Sequence, residues 1–263
     1  MISEKITDLV REHKFRGKLR LLEAITPAAG ERSCTIFGCK MTLDLGEYNQ
    51  RRTYFGCHEE AEIQMLGRWL RPGMTVVDVG ANLGYYTALF ASSVGPGGTV
   101  ISVEPASRVY ARLSAMVQEN HLAQVRTINA ALSDKSGWLE LHVASPSNFS
   151  PTAATMDSPC ETMKVPARTL DDLLEENRIH TVDLLKLDTM GHEPLALAGA
   201  KRMLAERRIK AILCEFYWYW LQQHGYRVED LWRTLRDAGF VDPVDKTPPP
   251  PRENTLRFLQ LAS

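Results

Sequence analysis

The sequence predicts a Rossmann-like α/β fold, with a mostly parallel central sheet and helices on both faces. From Met74 onward, short apolar segments typical of buried strands alternate with segments of helical periodicity. Such alternation favours a parallel sheet joined by right-handed crossovers. The first apolar segment also ends in a glycine-bearing turn, and open α/β sheets bind ligands at such strand ends.

Residues 1–72 precede this alternation and are predicted to form an extension packed on the core. Apolar residues at helical spacing indicate an amphipathic helix over residues 3–25. Alternating apolar and polar side chains indicate a hairpin over Cys34–Leu45. A further helix is predicted over Glu59–Leu70, and the core is expected to span residues 73–263.

The core elements follow in order from the same two periodicities. Strands are predicted over Thr75–Val79, Thr99–Val103, Val125–Ala130, Val182–Leu187, Ile209–Phe216, Phe240–Val244 and Leu256–Leu261. Helices are predicted over Tyr85–Val94, Arg108–His121, Leu170–Glu176, Glu193–Glu206 and Val228–Ala238. Trp138–Val143 and Met163–Val165 interrupt the alternation as a hairpin-like pair. The polar loop Ser145–Cys160 between them is either a lid or a surface excursion.

Composition narrows the class of protein. The chain has 263 residues, of which 44% are hydrophobic and 24% charged, and a net charge of −1, so it carries no electrostatic footprint for nucleic acid. No apolar run is long enough for a membrane span or a secretory signal. The five cysteines are scattered without CxxC spacing, which favours reduced thiols over a metal site. We therefore predict a cytoplasmic protein without nucleic-acid or membrane partners, and we leave a homo-oligomer open.

The sharpest motif is V-V-D-V-G-A-N-L-G-Y-Y-T at residues 76–87. Asp78 ends the first core strand, where a carboxylate is costly unless it serves a cation or a donor. Gly80 and Gly84 allow the backbone to approach a ligand, and the N–H groups that open the next helix favour an anionic group. Glu104 directly follows the second core strand and is placed to accept two ribose hydroxyls.

The same layout has to be distinguished from a nicotinamide dinucleotide site. Such a site favours G-x-G-x-x-G, whereas Asn82 here occupies the position of the second glycine, so a pyrophosphate cradle is unconvincing. S-adenosylmethionine contains no phosphate. Asp78 can meet its ammonium group, directly or through water, and the turn N–H groups can meet its carboxylate. A nicotinamide-dependent oxidoreductase and a non-catalytic S-adenosylmethionine-binding protein remain the alternatives.

Five blocks, taken in order, resemble the FkbM-type methyltransferase family. They are the motif above, V-E-P at 103–105, I-N-A-A-L-S-D-K-S-G at 128–137, R-T-L-D-D-L at 168–173 and V-D-L-L-K-L-D at 182–188. The resemblance implies a class I methyltransferase fold. It also implies O-methylation of a hydroxylated small molecule, often a natural product or a sugar.

The resemblance also implies particular binding residues for S-adenosylmethionine. Its methionine part would be held after the first strand, its ribose after the second and its adenine after the third. Tyr85 and Tyr86 open the helix beside the donor, or else pack that helix on the sheet. The implied cofactor-binding residues are Asp78, Gly80, Ala81, Asn82, Gly84, Tyr85, Glu104, Pro105, Asn129, Ala130 and Ala131.

The chain departs from the family after the fourth core strand. The family reads close to K-I-D-V-E-G-A-E, whereas residues 186–193 read K-L-D-T-M-G-H-E. Met190 replaces a glutamate and His192 replaces a small residue, while the acid at Glu193 is kept. A function that the family assigns to the replaced glutamate is therefore not expected here, and the change agrees with an acceptor molecule different from those of other family members.

Methyl transfer to oxygen requires alignment of the acceptor and removal of its proton. Asp188, His192 and Glu215 lie at or just beyond the ends of the fourth and fifth core strands and are the candidate catalytic residues. The alternatives are that Asp188 or His192 caps the following helix, and that Lys186 simply pairs with Asp188. A metal bridging the three candidates has no independent ligand pattern.

The aromatic run Phe216–Trp220 either packs a core or subunit face or forms a wall of the acceptor pocket. A macromolecular acceptor is disfavoured because the sequence shows no basic groove.

Overall fold

The computed structural model describes residues 17–26, 29–145, 148–151, 161–250 and 252–262. The chain divides into two compact units after Leu70. No helix in the described ranges is long and apolar enough to cross a bilayer. The packing of the N-terminal extension on the core stays a prediction.

The first unit combines short helices with a two-stranded sheet. Its elements are α1 (Lys18–Ile25), β1 (Glu31–Ile36), β2 (Cys39–Asp44), α2 (Tyr48–Tyr54) and α3 (Glu60–Trp69). The antiparallel pairing of β1 with β2 confirms the predicted hairpin, and β2 alternates buried Met41 and Leu43 with exposed Lys40 and Thr42. Helix α2 was not predicted. Residues 3–16 of the predicted first helix lie outside the described residues.

The second unit contains the remaining elements. Its strands are β3 (Thr75–Val79), β4 (Thr99–Val103), β5 (Val125–Ile128), β6 (Ala131–Leu132), β7 (Gly137–Ser145), β8 (Asn148–Pro151), β9 (Glu161–Arg168), β10 (Val182–Leu187), β11 (Ile209–Tyr217), β12 (Phe240–Val241) and β13 (Asn254–Leu261). Its helices are α4 (Tyr85–Val94), α5 (Ser107–Glu119), α6 (Leu170–Glu176), α7 (Glu193–Ala198), α8 (Lys201–Ala205), α9 (Trp218–Gln223) and α10 (Val228–Asp237).

Seven strands form the central sheet in the order β12-β13-β11-β10-β3-β4-β5. The five central strands are parallel, and β13 runs antiparallel to both β11 and β12. The side chains of β3, β4, β10 and β11 are almost all buried, as expected when a parallel sheet is covered on both faces. The predicted Rossmann-like, mostly parallel fold is therefore confirmed.

The chain reverses its direction across the sheet between β3 and β10. From β3 it proceeds through β4 to β5, whereas β10 lies on the other side of β3 and is followed by β11. Because each parallel crossover is right-handed, α4 and α5 cover one face and α7 and α8 cover the other. Ligands of such sheets bind in the crevice at this reversal.

A second, four-stranded sheet has the order β6-β9-β7-β8. Its antiparallel β7–β9 pair confirms the predicted hairpin-like pair, with Leu141 and Val165 buried in its own small core. The short strands β6 and β8 were not predicted. Within the loop Ser145–Cys160, predicted as a lid or a surface excursion, residues 146–147 and 152–160 lie outside the described residues.

The prediction of one continuous helix over Glu193–Glu206 was wrong, because the structure has two short helices there. Helix α7 ends before Gly199, where an added Cβ would lie 2.0 Å from the carbonyl oxygen of Ser133. This close backbone approach interrupts the helix, and α8 begins at Lys201. The predicted strand over Phe240–Val244 ends early, because the Asp242 side chain accepts hydrogen bonds from the N–H groups of Val244 and Asp245 and turns the chain.

Candidate functional site

Four strand ends meet at the carboxyl edge of the central sheet. The order β11-β10-β3-β4 brings Glu215, Asp188, the turn after β3 and Glu104 into one row. Because Leu187 pairs with Cys214, the residues that follow them, Asp188 and Glu215, lie side by side. The candidate cofactor-binding and catalytic residues therefore share one edge.

The two turn glycines are required by packing against protein atoms. Gly80 has a φ of 74°, and a Cβ added there would lie 1.9 Å from the carbonyl oxygen of Asp188. Gly84 has a φ of 91°, and an added Cβ would lie 2.3 Å from the Met116 side chain. The expectation that these glycines clear space for a ligand is corrected, because the neighbouring loop and α5 fill that space.

The N–H groups of the turn are also used inside the protein. Gly80 and Ala81 both donate to the carbonyl oxygen of Val103, and Asn82 donates to the Glu104 carboxylate. The predicted contact of these groups with a donor carboxylate is therefore corrected. The start of α4 has no side-chain cap, so it is the part of this motif that can receive an anionic group.

The carboxylate of Glu104 is held by two backbone donors. Its Oε2 accepts from the Asn82 N–H and its Oε1 accepts from the Ala106 N–H, both at 2.9 Å. Burial raises the pKa of Glu104 to about 7, and the two hydrogen bonds oppose the rise. Each carboxylate oxygen has a second lone pair, so this fixed group can still accept ribose hydroxyls.

Asp78 faces the protein interior. It is fully buried, its Oδ2 accepts a 2.7 Å hydrogen bond from Thr87, and its Oδ1 lies 3.5 Å from Lys186 Nζ. Burial raises the pKa of Asp78, and the Lys186 charge opposes that rise. The cation served by Asp78 is therefore Lys186. The predicted direct contact with the donor's ammonium group is corrected, because Asp78 has no exposed surface.

The segment predicted to lie along adenine is anchored to the ribose loop. The Asn129 side-chain amide donates to the carbonyl oxygens of Glu104 and Pro105. Ala130 and Ala131 are buried. These contacts fix the loops at the ends of β4 and β5 relative to each other, and the contact with adenine stays a prediction.

The two tyrosines that open α4 have different environments. Tyr86 is buried and packs against Phe90, and the Lys186 ammonium lies 4.8 Å from its ring centroid. Tyr85 is partly exposed and packs edge-on against Tyr86. Tyr86 therefore packs the helix on the site, and Tyr85 retains surface for a ligand.

Lys186 and two carboxyl groups form the centre of the site. Lys186 is buried, and its Nζ lies 3.0 Å from Asp188 Oδ2. The Asp188 side chain is partly exposed, and Asp188 lies beside Glu215 because Leu187 pairs with Cys214 in the register of β10 and β11. Burial, followed by the negative charges of Asp188 and Glu193, raises the pKa of Glu215 well above its ordinary range.

The acid kept at Glu193 organises the loop after β10. Its Oε1 accepts from the N–H and hydroxyl of Thr189, and its Oε2 accepts from the Gly191 N–H. Burial raises its pKa to about 7. The N-cap of α7 is His192 and it makes no side-chain cap hydrogen bond within the described residues, so the structure does not show the helix-capping alternative for either Asp188 or His192.

His192 lies at the N-cap of α7 and packs against His224, with ring centroids 4.2 Å apart. Burial, and then the neighbouring imidazole, lowers the pKa of His192 to about 4. The expectation that His192 titrates near neutral pH was wrong. His224 was missed because it follows α9, a helix that the sequence analysis did not predict.

The aromatic run divides between the core and the site. Phe216 is fully buried and packs near Trp232, whereas Trp218, Tyr219 and Trp220 are partly exposed on α9. Gly191 lies against the backbone of Trp220, where an added Cβ would lie 2.6 Å from the carbonyl oxygen. Helix α9 is therefore in contact with the loop that carries His192. Within the described residues, no group of His, Cys, Asp and Glu side chains could hold a metal ion.

Comparisons with known proteins identify the family of the chain. Residues 78–241 match the profile of the Methyltransferase FkbM domain. The 31-O-demethyl-FK506 methyltransferase FkbM of Streptomyces tacrolimicus is 30% identical over 161 residues, covering 50% of this chain and 61% of that protein. A protein-L-isoaspartate O-methyltransferase of Triticum aestivum is 34% identical over 96 residues, covering 36% of this chain and 38% of that protein. The chain thus spans under two thirds of the length of either relative.

Two solved structures of similar chains are a putative rRNA-methylase from Clostridium thermocellum and the methyltransferase FkbM from Methylobacillus flagellatus. The first has a TM-score of 0.49 at 12% identity and covers 78% of this chain and 95% of its own. The second has a TM-score of 0.43 at 16% identity and covers 81% of this chain and 54% of its own. With the family profile matched over most of its length, the chain belongs to the FkbM family of S-adenosylmethionine-dependent methyltransferases.

Proposed function

We propose that this protein transfers a methyl group from S-adenosylmethionine to a hydroxyl oxygen of a small molecule, a natural product or a sugar. The observation that supports this most is the partly exposed Asp188 carboxylate at the end of β10, which lies 3.0 Å from Lys186 and has Glu215 as its register neighbour on β11. A hydroxyl acceptor needs a base at this edge of the sheet. The relative from Streptomyces, whose name states an O-demethyl substrate, supports the same chemistry.

The charge of the site favours a cationic donor. Asp78, Glu104, Asp188 and Glu215 lie along this edge, and Lys186 is the cation among them. S-adenosylmethionine brings a positively charged sulfonium, whereas a nicotinamide dinucleotide brings an anionic pyrophosphate. An acidic site attracts the first and repels the second, which argues against the oxidoreductase alternative.

The residues fit the donor in three places. Glu104 would accept the ribose hydroxyls with the lone pairs its backbone donors leave available. The N-terminus of α4 would receive the methionine carboxylate. Pro105 and Asn129-Ala130-Ala131 would lie along adenine, because Asn129 holds these two loops together.

The bound donor supplies an activated methyl group, whose bond to sulfur breaks as its bond to the acceptor oxygen forms. Asp188 takes the proton of the acceptor hydroxyl during that displacement. Lys186 keeps the negative charge on Asp188 before the proton arrives, and the proton then leaves to solvent through the exposed side of Asp188. Holding the acceptor oxygen in line with the methyl group lowers the activation barrier further, by on the order of 7 to 11 kcal/mol in favourable cases.

A carboxyl acceptor is the second candidate, since the wheat relative is named for O-methylation of isoaspartate. A carboxylate acceptor would approach the carboxyl pair of Asp188 and Glu215 and be repelled by it. A neutral hydroxyl meets no such repulsion, which is why we favour it.

Purified full-length protein incubated with methyl-labelled donor should methylate at least one member of a panel of hydroxylated metabolites. Isoaspartyl peptides and free carboxylic acids belong in the same panel, and base-labile label would identify a carboxyl ester. If calorimetry shows donor binding but no acceptor in the panel is methylated, the proposed catalytic activity is contradicted and the alternative of a non-catalytic S-adenosylmethionine-binding protein is favoured. Absence of donor binding would contradict the proposal as a whole.

A further inference from the structure

Asp188 and Glu215 lie side by side after the Leu187–Cys214 register pair, and two adjacent carboxyl groups cannot both be ionised at low cost. Burial and the Asp188 charge raise the pKa of Glu215, so the pair favours retaining one proton. Which residue holds it decides which residue can accept a proton from a substrate. The Oε2 atom of Glu215 is shielded from solvent and receives no amide or hydroxyl donor from the described residues. A proton on Glu215 resolves this, because the protonated carboxyl then donates to Asp188.

Lys186 makes the pair asymmetric. Its ammonium lies 3.0 Å from Asp188 Oδ2. The same ammonium also contacts Asp78 Oδ1, at 3.5 Å, and the ring of Tyr86, with the centroid at 4.8 Å. Register fixes this arrangement, since Lys186 pairs with Asp78 across β10 and β3. Lys186 is buried and does not reach an acceptor itself.

We propose that Lys186 is a positioning residue that keeps Asp188, rather than Glu215, as the ionised member of the pair and so selects the base. This rests on the proposed function for its catalytic consequence, but the charge assignment can be tested by itself. The titratable and charged groups that surround the Lys186–Asp188 pair are Asp78 on β3, Tyr86 on α4, Glu104 after β4, Cys214 and Glu215 on β11, and Glu193 on α7.

The test is Lys186→Met, which removes the charge and keeps a long side chain. A neighbouring opposite charge favours ionisation by about 1 to 3 pH units. We therefore expect the acid limb of the single-turnover rate against pH to move to higher pH by about 1 to 3 units, so that the rate falls about 10- to 1,000-fold on that limb and recovers as pH is raised. A lysine with only a structural role would lower the rate equally at every pH.

Lys210→Met is the matched control. Lys210 on β11 pairs with Asp183 near the start of β10 at 2.7 Å, far from the carboxyl ends of the strands and exposed to solvent. This variant should keep the wild-type pH profile. An equal alkaline shift in both variants would overturn the proposal, since it would reflect a general change in charge.

A readout independent of turnover is the side-chain carboxyl ¹³C shift of Asp188, assigned with Asp188→Asn. Followed as pH is varied, it should report a larger protonated fraction of Asp188 in Lys186→Met than in the wild type at the same acidic pH. An unchanged shift would overturn the proposal even if the enzyme is active. If turnover is absent in the wild type, the proposed function fails while this measurement still decides the role of Lys186.

Removal of Lys186 leaves the buried Asp78 charge uncompensated and can prevent folding. The double variant Lys186→Met/Asp78→Asn removes both charges and keeps an acceptor for Thr87. In this background, an Asp188 carboxyl that stays as ionised as in the wild type would equally overturn the proposal, and a larger protonated fraction would support it.

Discussion

The carbonyl oxygen of Asp188 lies where a side chain at Gly80 would project, 1.9 Å from the position of an added Cβ. The loop that carries the candidate base and the turn of the cofactor motif are therefore in direct backbone contact. The Asp188 N–H also donates to the carbonyl oxygen of Val79, which fixes the ends of β3 and β10 against each other. A change at the turn is thus transmitted to the position of Asp188.

Gly80→Ala should destabilise the fold and displace Asp188. Gly73→Ala is its control, because Gly73 has a similarly positive φ of 83° but open space around an added Cβ. The left-handed conformation alone costs about 1–2 kcal/mol. We expect Gly80→Ala to exceed that cost in urea unfolding, and equal losses in the two variants would show that the contact with Asp188 is relieved.

Glu104→Ala should weaken donor binding by about tenfold or more, since hydrogen bonds to a charged group contribute about 1.5–3 kcal/mol. Because the pKa of Glu104 is about 7, affinity should strengthen as pH rises through 7 and the carboxylate forms. Calorimetry between pH 6 and 8 measures both effects. Unchanged affinity in Glu104→Ala would refute the ribose assignment.

Stability should fall as pH rises from about 4.5 to about 7. Glu104 and Glu193 have pKa values near 7 in the fold and about 4.3 when unfolded, so the folded state holds their protons longer and loses that advantage as they ionise. Each group contributes at most about 4 kcal/mol. Glu193→Gln should reduce the slope of unfolding free energy against pH, and an unaltered slope would contradict the raised pKa of Glu193.

His192 should titrate near pH 4, well below the ordinary range of histidine. Since its folded pKa is lowered, the stability it contributes is present above about pH 6.5 and is lost as pH falls toward 4. Imidazole proton shifts in NMR spectra, assigned with His192→Ala, measure this directly. A midpoint near 6.5 would show that the ring is solvated and restore His192 as a candidate base.

Asp188→Asn should slow the chemical step by about 10²- to 10⁴-fold while leaving donor affinity in place. Glu215→Gln should cost less, because an amide keeps the hydrogen-bond donor that a protonated Glu215 offers to Asp188. Single-turnover rates at saturating donor compare the two. The reverse order would make Glu215 the base.

The sequence by itself determined the strand and helix alternation, the edge at which the site lies and the family. These features follow from local periodicity and from short motifs, so β3, α4, β4 and β10 were predicted with their observed bounds. The break at Gly199 was not predictable, because it depends on the approach of Ser133 from a distant segment.

Only the tertiary structure decided what each site residue touches. From the sequence, Asp78 was expected to meet the donor's ammonium group and Lys186 to pair with Asp188, yet their register across β3 and β10 also pairs Asp78 and Lys186 with each other in the interior. Likewise, His192 is buried and packs against His224, which lies on a separate element of the chain. Burial and the neighbouring imidazole together lower the pKa of His192 to about 4. Charge and proton affinity depend on neighbours in space and on access to water, and neither is encoded in local sequence spacing.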